Sequence, residues 1–310
     1  FLFLGIFLLR LGGQGLMSHT ATTTISRYFN KSRGRALSIT WLGLSLAEFI
    51  MPVLIVFLLT LFYWRNIWII ISLIVLFILP IISLLFVRNV SLESREKTNL
   101  KEINSNRIKS WTRAEVLKDY RFYIITLNML AMPSIATGVF VYQSFILESK
   151  NWGPYVIAQS FMSYSIMSVI TLALTGILID KFSSRRLLIY MNLPLFISAI
   201  ILFSFNSPFS AFFFLGFIGI CNGLANVLGS SLWAEMYGVK FIGGIKALTT
   251  ALMVFATAAG TAIFGLFIDA GYSINSIAFF SATYILICLI MLFFIRKKNR
   301  TSLFINIPCF

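Results

Sequence analysis

The sequence has few charged residues, few acids and little histidine or cysteine. Only 11% of its 310 residues are charged, whereas a soluble domain carries about 25%. The single histidine stands alone, and the three cysteines show no metal-ligand spacing. A soluble enzyme, a disordered chain, a zinc site and a disulfide framework are therefore disfavoured. The chain also has no Gly-x-x-x-x-Gly-Lys-Ser/Thr motif, so direct use of ATP has no support.

Long apolar runs fill most of the chain, which is 59% hydrophobic. A membrane-spanning helix needs about 20 mainly apolar residues, and these runs are too long and too uniform for the strands of a membrane barrel. The pattern predicts an all-α polytopic membrane helix bundle. The nine predicted transmembrane helices are 1–26, 36–61, 64–87, 120–147, 155–179, 187–205, 209–232, 243–268 and 273–295.

The basic residues predict the orientation of these helices. When the loops are assigned alternately to two sides, all Lys and Arg except Arg10, Arg65 and Lys150 fall on one side. This asymmetry follows the positive-inside rule, so we expect the basic loops and the C-terminus to be cytoplasmic. The net charge of +15 is then explained without nucleic acid. The short loops favour a bacterial inner (plasma) membrane.

The one long polar stretch, 88–119, is predicted to be a cytoplasmic linker. It separates a remainder of an N-terminal bundle (1–87) from a six-helix C-terminal bundle (120–295), which a cytoplasmic tail (296–310) follows. Secondary transporters are often built from repeated bundles. Three helices before the linker and six after it therefore lead us to expect that three further helices precede Phe1 in a longer protein.

Four local patterns resemble the major facilitator superfamily, including its monocarboxylate-porter-like branch. They are Arg10-Leu-Gly-Gly-Gln14-Gly15, the loop 28–36, Gly176-x-x-x-Asp180-Lys181 with Arg185 and Arg186, and the stretch 233–246. The resemblance implies twelve helices in two halves, with the first helix here matching the family's fourth. It also implies a secondary transporter rather than an enzyme, with no cofactor and a monomeric state.

Two ionisable residues, Arg10 and Glu48, lie well inside apolar segments. At the helical rise they are about 25 and 20 Å from the turn that joins their helices, so antiparallel packing would bring them to similar depth. A charge at membrane depth usually faces the bundle interior and has a partner. Arg10 is thus a candidate for binding an anionic substrate and Glu48 for carrying a proton. A static pair that joins two helices explains them equally well.

Gly176, Asp180, Lys181, Arg185 and Arg186 match the family's loop motif, and the resemblance implies a cytoplasmic gate. Charges of such a gate pair with neighbouring helix ends in one conformation and separate in the other. The alternative interpretation is that the basic residues only signal topology.

Uncharged polar residues are the remaining candidates for a substrate cavity. Resemblance favours those on the helices that line the cavity in the family: Gln14, Asn128, Gln143, Asn222 and Asn226. For each residue alone, a hydrogen bond between helices is the simpler explanation. The same holds for His19, which lies beside several threonines.

The sequence therefore predicts a secondary active transporter that works by alternating access on a small organic solute. Arg10 suggests an organic anion, and protons or another ion would drive the process across the lipid bilayer. A non-transporting sensor or scaffold of the same fold is the alternative. An integral-membrane enzyme is less favoured, because its acids and histidine would have to cluster for acid–base or metal chemistry, and here they are scattered.

Overall fold

A computed structural model describes residues 2–29, 32–87, 110–153 and 156–300. All regular elements in these ranges are helices. A π-helical segment, Arg10–Met17, joins α1 to α2, and a 3₁₀ turn, Leu188–Tyr190, follows α9. The α-helices are α1 (Leu2–Leu9), α2 (Ser18–Tyr28), α3 (Arg33–Leu61), α4 (Trp64–Val87), α5 (Arg113–Lys118), α6 (Tyr120–Val141), α7 (Gln143–Lys150), α8 (Val156–Phe182), α9 (Ser184–Leu187), α10 (Leu193–Ser204), α11 (Ser210–Tyr237), α12 (Ile242–Asp269) and α13 (Ile274–Arg300).

The all-helical, membrane-type architecture is confirmed. Seven helical segments in the described ranges are long and apolar enough to cross a membrane, and predicted segments 1–26 and 36–61 are helical but not among them. The seven are Trp64–Ile82, Tyr120–Val141, Gln159–Phe182, Ser184–Ser204, Ser210–Tyr237, Ile242–Asp269 and Ile274–Ile295.

Three predicted helices are less regular than the apolar runs suggested. Segment 1–26 contains the π-helical stretch, which includes three glycines, and π-helical turns are often found at functional sites. Segment 120–147 is interrupted at Tyr142, which separates α6 from α7. Segment 187–205 begins with a 3₁₀ turn before α10, where a proline occupies the first turn. Hydrophobic length alone carries no information on such interruptions.

The chain divides into two compact units, residues 1–42 with 108–310, and residues 43–107. This division differs from the predicted domain boundaries, which remain a prediction. The core of the first unit lies among α6, α8, α10, α11, α12 and α13, and contains side chains such as Leu215 and Ile218. Helices α8 and α11 approach closely because Gly219 lacks a side chain: a Cβ there would collide with the carbonyl oxygen of Tyr164.

The described part of the second unit consists of α3 beyond Leu42 and of α4. Its large apolar side chains are mostly exposed, as at Phe57 (59%) and Leu84 (65%). An exposed apolar surface of this extent is unusual for a soluble protein and fits contact with lipid.

The end of the predicted linker is anchored to the first unit. The Trp111 amide donates to the carbonyl oxygen of Tyr237 at 2.9 Å, and the two rings meet edge to face at 5.6 Å. Helix α5 begins with a capping box between Thr112 and Glu115. Residues 88–109 of the predicted linker lie outside the described residues.

Lys150, at the end of α7, joins three segments of the first unit. Only 4% of this residue is exposed. Its Nζ donates to the Phe205 carbonyl oxygen at 3.1 Å, to Asn206 Oδ1 at 2.8 Å and to Asn275 Oδ1 at 2.8 Å. Burial lowers the pKa of Lys150, because the ammonium loses hydration. Three oxygen acceptors replace that hydration, so Lys150 holds the loops at this end of the bundle together.

Replacing Lys150 with methionine should lower the melting temperature of the purified protein. Methionine fills the space but leaves three acceptors without their donor, which costs about 1–3 kcal/mol. Because the folded-state pKa lies below the unfolded value, stability should also rise with pH between the two pKa values, a rise that Lys150→Met lacks. Intrinsic fluorescence on heating measures both effects. Lys118→Met, at an exposed lysine, is the control, and equal melting temperatures for the two variants would contradict the assignment.

Candidate functional site

Several basic residues of the first unit lie at one end of its helices, away from Lys150. Arg27, Arg113 and Lys240 line one pocket there, and Arg35 contacts Asp180, which precedes Lys181. We call this the basic end, defined by these five basic residues. Here α2 and the part of α3 up to Leu42 contact α8, α11 and α12. More than a hundred residues separate the two groups of helices in the sequence. These contacts form the candidate functional site.

Asp180 caps the first turn of α3 from another helix. Its Oδ1 accepts from the Gly34 amide at 2.8 Å, and its Oδ2 accepts from the Arg35 amide at 3.3 Å and from Arg35 Nε at 3.0 Å. The orphan amides and the positive dipole end of a helix both favour a carboxylate at this position. The Arg35 side chain is 64% exposed and that of Asp180 only 13%. The hydrogen bonds from the two backbone amides therefore stabilise this contact more than the ion pair does, because solvent screens the exposed ion pair.

The helices α3 and α8 touch through two glycines beside this cap. A Cβ on Gly34 would collide with the Gly176 carbonyl oxygen, and a Cβ on Gly176 would collide with Ser38 Oγ. Ser38 Oγ donates across the same contact to the Leu172 carbonyl oxygen at 2.8 Å. Gly176, which the sequence motif singled out, thus permits a close approach of two helix backbones.

The other charged residues of the motif have different surroundings. The Arg185 guanidinium donates to the backbone oxygen of Glu235 on α11. Lys181 Nζ lies 5.4 Å from the centre of the Phe182 ring, and Arg186 is exposed. The structure places Asp180 and Gly176 at a contact with α3, and Arg185 at a contact with α11.

Glu235 is a residue of this end that sequence reasoning did not include among the site candidates. Its carboxylate accepts from the Ser183 hydroxyl at 3.0 Å, the Ser184 amide at 3.0 Å and the Ser184 hydroxyl at 2.8 Å. It therefore fixes the turn between α8 and α9 that follows Asp180. The signal for it was its place in the stretch 233–246, which was noted only as a family pattern.

A second contact joins α2 to α11 and α12. The Ser26 hydroxyl, which is fully buried, lies 3.2 Å from the Ser230 carbonyl oxygen. Lys246 Nζ donates to Ser26 Oγ at 2.7 Å and to the Thr22 carbonyl oxygen at 2.8 Å. Trp41 Nε1 lies 3.4 Å from Ser230 Oγ. The sequence does not predict this contact, because it presents Lys246 only as a topology charge and as the last residue of the family-like stretch 233–246.

A stripe of polar side chains runs along α11 into this contact. Asn222 Nδ2 donates to Ser168 Oγ at 3.0 Å, and Asn226 Nδ2 donates to Asn222 Oδ1 at 3.3 Å. Ser230 Oγ then donates to the Asn226 carbonyl oxygen at 3.0 Å. The four-residue spacing of Asn222, Asn226 and Ser230 places them on one face of the helix, so we call them the polar stripe.

The comparison with protein families decides the class of this helical membrane protein. The profile of the Major Facilitator Superfamily matches residues 1–162 and, separately, residues 124–305. The chain belongs to the Major Facilitator Superfamily. No curated protein sequence matches it significantly. Membership in this superfamily makes the chain an integral membrane protein of a secondary-transporter class rather than an enzyme class, and implies a small-molecule substrate.

The remaining candidates of this superfamily member are only partly described. Asn128 is fully buried, and its backbone and side-chain oxygens accept from Asn192 Nδ2 at 2.6 and 3.0 Å. These hydrogen bonds favour a structural role for Asn128, which is to pack α6 against the start of α10. Gln143 is half-buried at the first residue of α7. The side chains of Arg10, Gln14 and Glu48 lie outside the described residues, so their predicted roles stay predictions.

His19, on α2, is half-buried, and in the described structure its Nδ1 is enclosed without a hydrogen-bond partner. The sequence favoured a hydrogen-bonded structural histidine there, and that role stays a prediction. Among the described residues no group of three or more His, Cys, Asp or Glu side chains could hold a metal ion.

Proposed function

We propose that the chain carries a small organic solute across a bacterial inner membrane by alternating access, as a monomer and coupled to protons or another ion. In this proposal the basic end faces the cytoplasm. The observation that carries it is the pair of contacts at the basic end, at Asp180 and at Lys246. Each joins a helix that precedes the central polar stretch to helices that follow it. In alternating access, such contacts form when one side closes and break when it opens.

The motif around Asp180 acts as the gate in this proposal. The carboxylate caps α3 only while α3 and α8 are in contact, so opening of the basic end exposes the Gly34 and Arg35 amides to water. Water replaces the lost bonds, and the two states then differ by a small free energy. A gate of this kind stabilises one conformation without locking it.

The polar stripe is the proposed lining of the substrate path. Asn222 and Asn226 are partly exposed. The stripe ends at the closed contact around Ser230. Their amide groups both donate and accept hydrogen bonds, which suits a small polar organic solute. Gln14 and Gln143 extend this lining by family resemblance. Arg10 would add a cation for an organic anion, and Glu48 a group that can carry a proton.

Uptake by the full-length protein tests the proposal directly. The protein would be reconstituted in vesicles containing a pH-sensitive dye and challenged with pooled organic acids, sugars and amphipathic cations. Solute-dependent proton movement, carried most strongly by the organic acids, is the expected result. Uptake without proton movement would contradict the proposed coupling to protons. If protein shown to be folded and inserted gives neither uptake nor proton movement with any pool, the sensor or scaffold alternative is favoured.

Replacing Asn226 with alanine should raise the KM for the transported solute several-fold and leave the folded yield unchanged. The variant removes hydrogen-bonding groups from the path, while the helix keeps its backbone bonds. Asn66→Ala, at an exposed asparagine on α4, is the matched control. An unchanged KM in Asn226→Ala would show that this residue does not line the substrate path.

A further inference from the structure

Lys246 is a buried amine with no acidic partner in the described structure. Only 4% of it is exposed. Both hydrogen-bond partners of Nζ, Ser26 Oγ and the Thr22 carbonyl oxygen, are uncharged. A neutral amine has two N–H donors, which these two oxygens satisfy. An ammonium ion has three, and the described residues supply no third acceptor.

The charges around Lys246 add to the cost of keeping it protonated. The electrostatic field of Arg33, itself buried at 8% exposure, opposes a charge on Lys246, and His19 lies close enough to interact with it. The structure describes other ionisable side chains on the helices packed against α12. They are Arg27 and Tyr28 (α2), Arg113, Glu115 and Lys118 (α5), Tyr120, Arg121 and Tyr123 (α6), Cys221, Glu235 and Tyr237 (α11), and Tyr284 and Cys288 (α13).

The two carboxylates in that set are engaged elsewhere. Glu115 closes the capping box of α5 with Thr112, and Glu235 accepts from Ser183 and Ser184. Burial of an ammonium ion without a counter-ion is strongly unfavourable. The closed contact between α2 and α12 therefore favours the neutral form of Lys246.

A pocket at the basic end lies close to Lys246. Its volume is about 380 Å³, and it is lined by Thr23 and Arg27 of α2, by Arg113 of α5 and by residues 239–244, which lead into α12. Lys246 is less than one helical turn beyond Gly244. When α2 and α12 separate, water from this side can reach Nζ.

We propose that Lys246 is a protonation site through which closure of the basic end releases one proton. In the open state the hydrated amine carries the proton. On closure the proton passes from Nζ to water on the same side, and the neutral amine donates to Ser26 and Thr22. This inference rests on the proposed alternating access and names a residue through which pH acts on it.

Distance measurements between spin labels test the proposal in the full-length protein in lipid nanodiscs. After replacement of the native cysteines, labels would be placed at Ile39 on α3 and Ile177 on α8, both exposed near the basic end. The ratio of closed to open populations should rise with pH, by up to about tenfold per unit for a single proton. Lys246→Met should be mainly closed at every pH, and Lys246→Arg, which keeps its charge, mainly open.

His19→Asn is the matched control, because His19 is a second titratable side chain that interacts with Lys246. The pH response should survive in it. A response that persists in Lys246→Met, or disappears in His19→Asn, would overturn the inference while leaving alternating access intact. A single distance under all conditions would overturn both proposals. A second label pair at Leu127 and Ile177, on α6 and α8, reports whether each variant is folded.

Discussion

Substitution of Gly176 by alanine should reduce uptake by the full-length protein by roughly tenfold to a hundredfold and leave the basic end open. The added Cβ meets Ser38 Oγ and the Gly34 carbonyl oxygen, and both lie at the contact between α3 and α8. Overpacking of a tight contact costs about 1–3 kcal/mol, and every 1.4 kcal/mol is about tenfold in a population. In the proposed alternating access the strain exists only in the closed state, because the two helices separate in the open one.

Two measurements distinguish this effect from misfolding. Reaction of a cysteine at Leu37, which is fully buried in the closed state, with a membrane-impermeant maleimide in inside-out vesicles should be faster in Gly176→Ala than in the parent. Gly244→Ala is the matched control, because a Cβ on this exposed helical glycine meets no atom within 4 Å. Uptake and labelling in Gly244→Ala should resemble the parent. Normal uptake in Gly176→Ala would show that closure does not require this contact.

The helices could be predicted from sequence because a membrane imposes a simple requirement on them. About 20 apolar residues are needed to cross the hydrocarbon region, and each backbone polar group must be bonded within its own helix. The helix α4 shows this well: the predicted segment 64–87 coincides with Trp64–Val87. Interruptions such as the break at Tyr142 could not be predicted, since they depend on packing. A Cβ on Gly265 of α12, for example, would collide with the Tyr142 hydroxyl.

Part of the candidate site could likewise be predicted from the sequence, and part could not. Asp180 and Gly176 could be found because their spacing forms a local motif in the sequence. The contact of Lys246 with Ser26 joins residues that are 220 positions apart, and no local pattern marks it. A lysine near a helix end is explained by topology alone, so only the fold shows that this one is buried. The predicted depth match of Arg10 and Glu48 stays a prediction, since their side chains lie outside the described residues.

Substitution of Asp180 by alanine should lower uptake by about tenfold, and substitution by asparagine much less. Alanine removes both the cap of α3 and the charge, and loss of an N-cap costs about 0.5–2 kcal/mol, to which the helix dipole adds about 0.3–1 kcal/mol. Asparagine keeps an oxygen that can accept from the Gly34 amide. Arg35→Gln should have the smallest effect, because an exposed ion pair contributes about 0–1 kcal/mol.

The order of these three effects separates the gate from simple topology signalling. If the motif only directs insertion, the basic residues matter and Asp180→Ala transports normally, whereas Lys181→Gln combined with Arg186→Gln impairs insertion. If the cap stabilises the closed state, Asp180→Ala inserts normally, transports poorly and labels faster at the basic end, and the paired Lys181 and Arg186 substitutions do little. An Arg35→Gln variant as defective as Asp180→Ala would transfer the role from the helix cap to the ion pair. Initial uptake rates, normalised to inserted protein, measure the order directly.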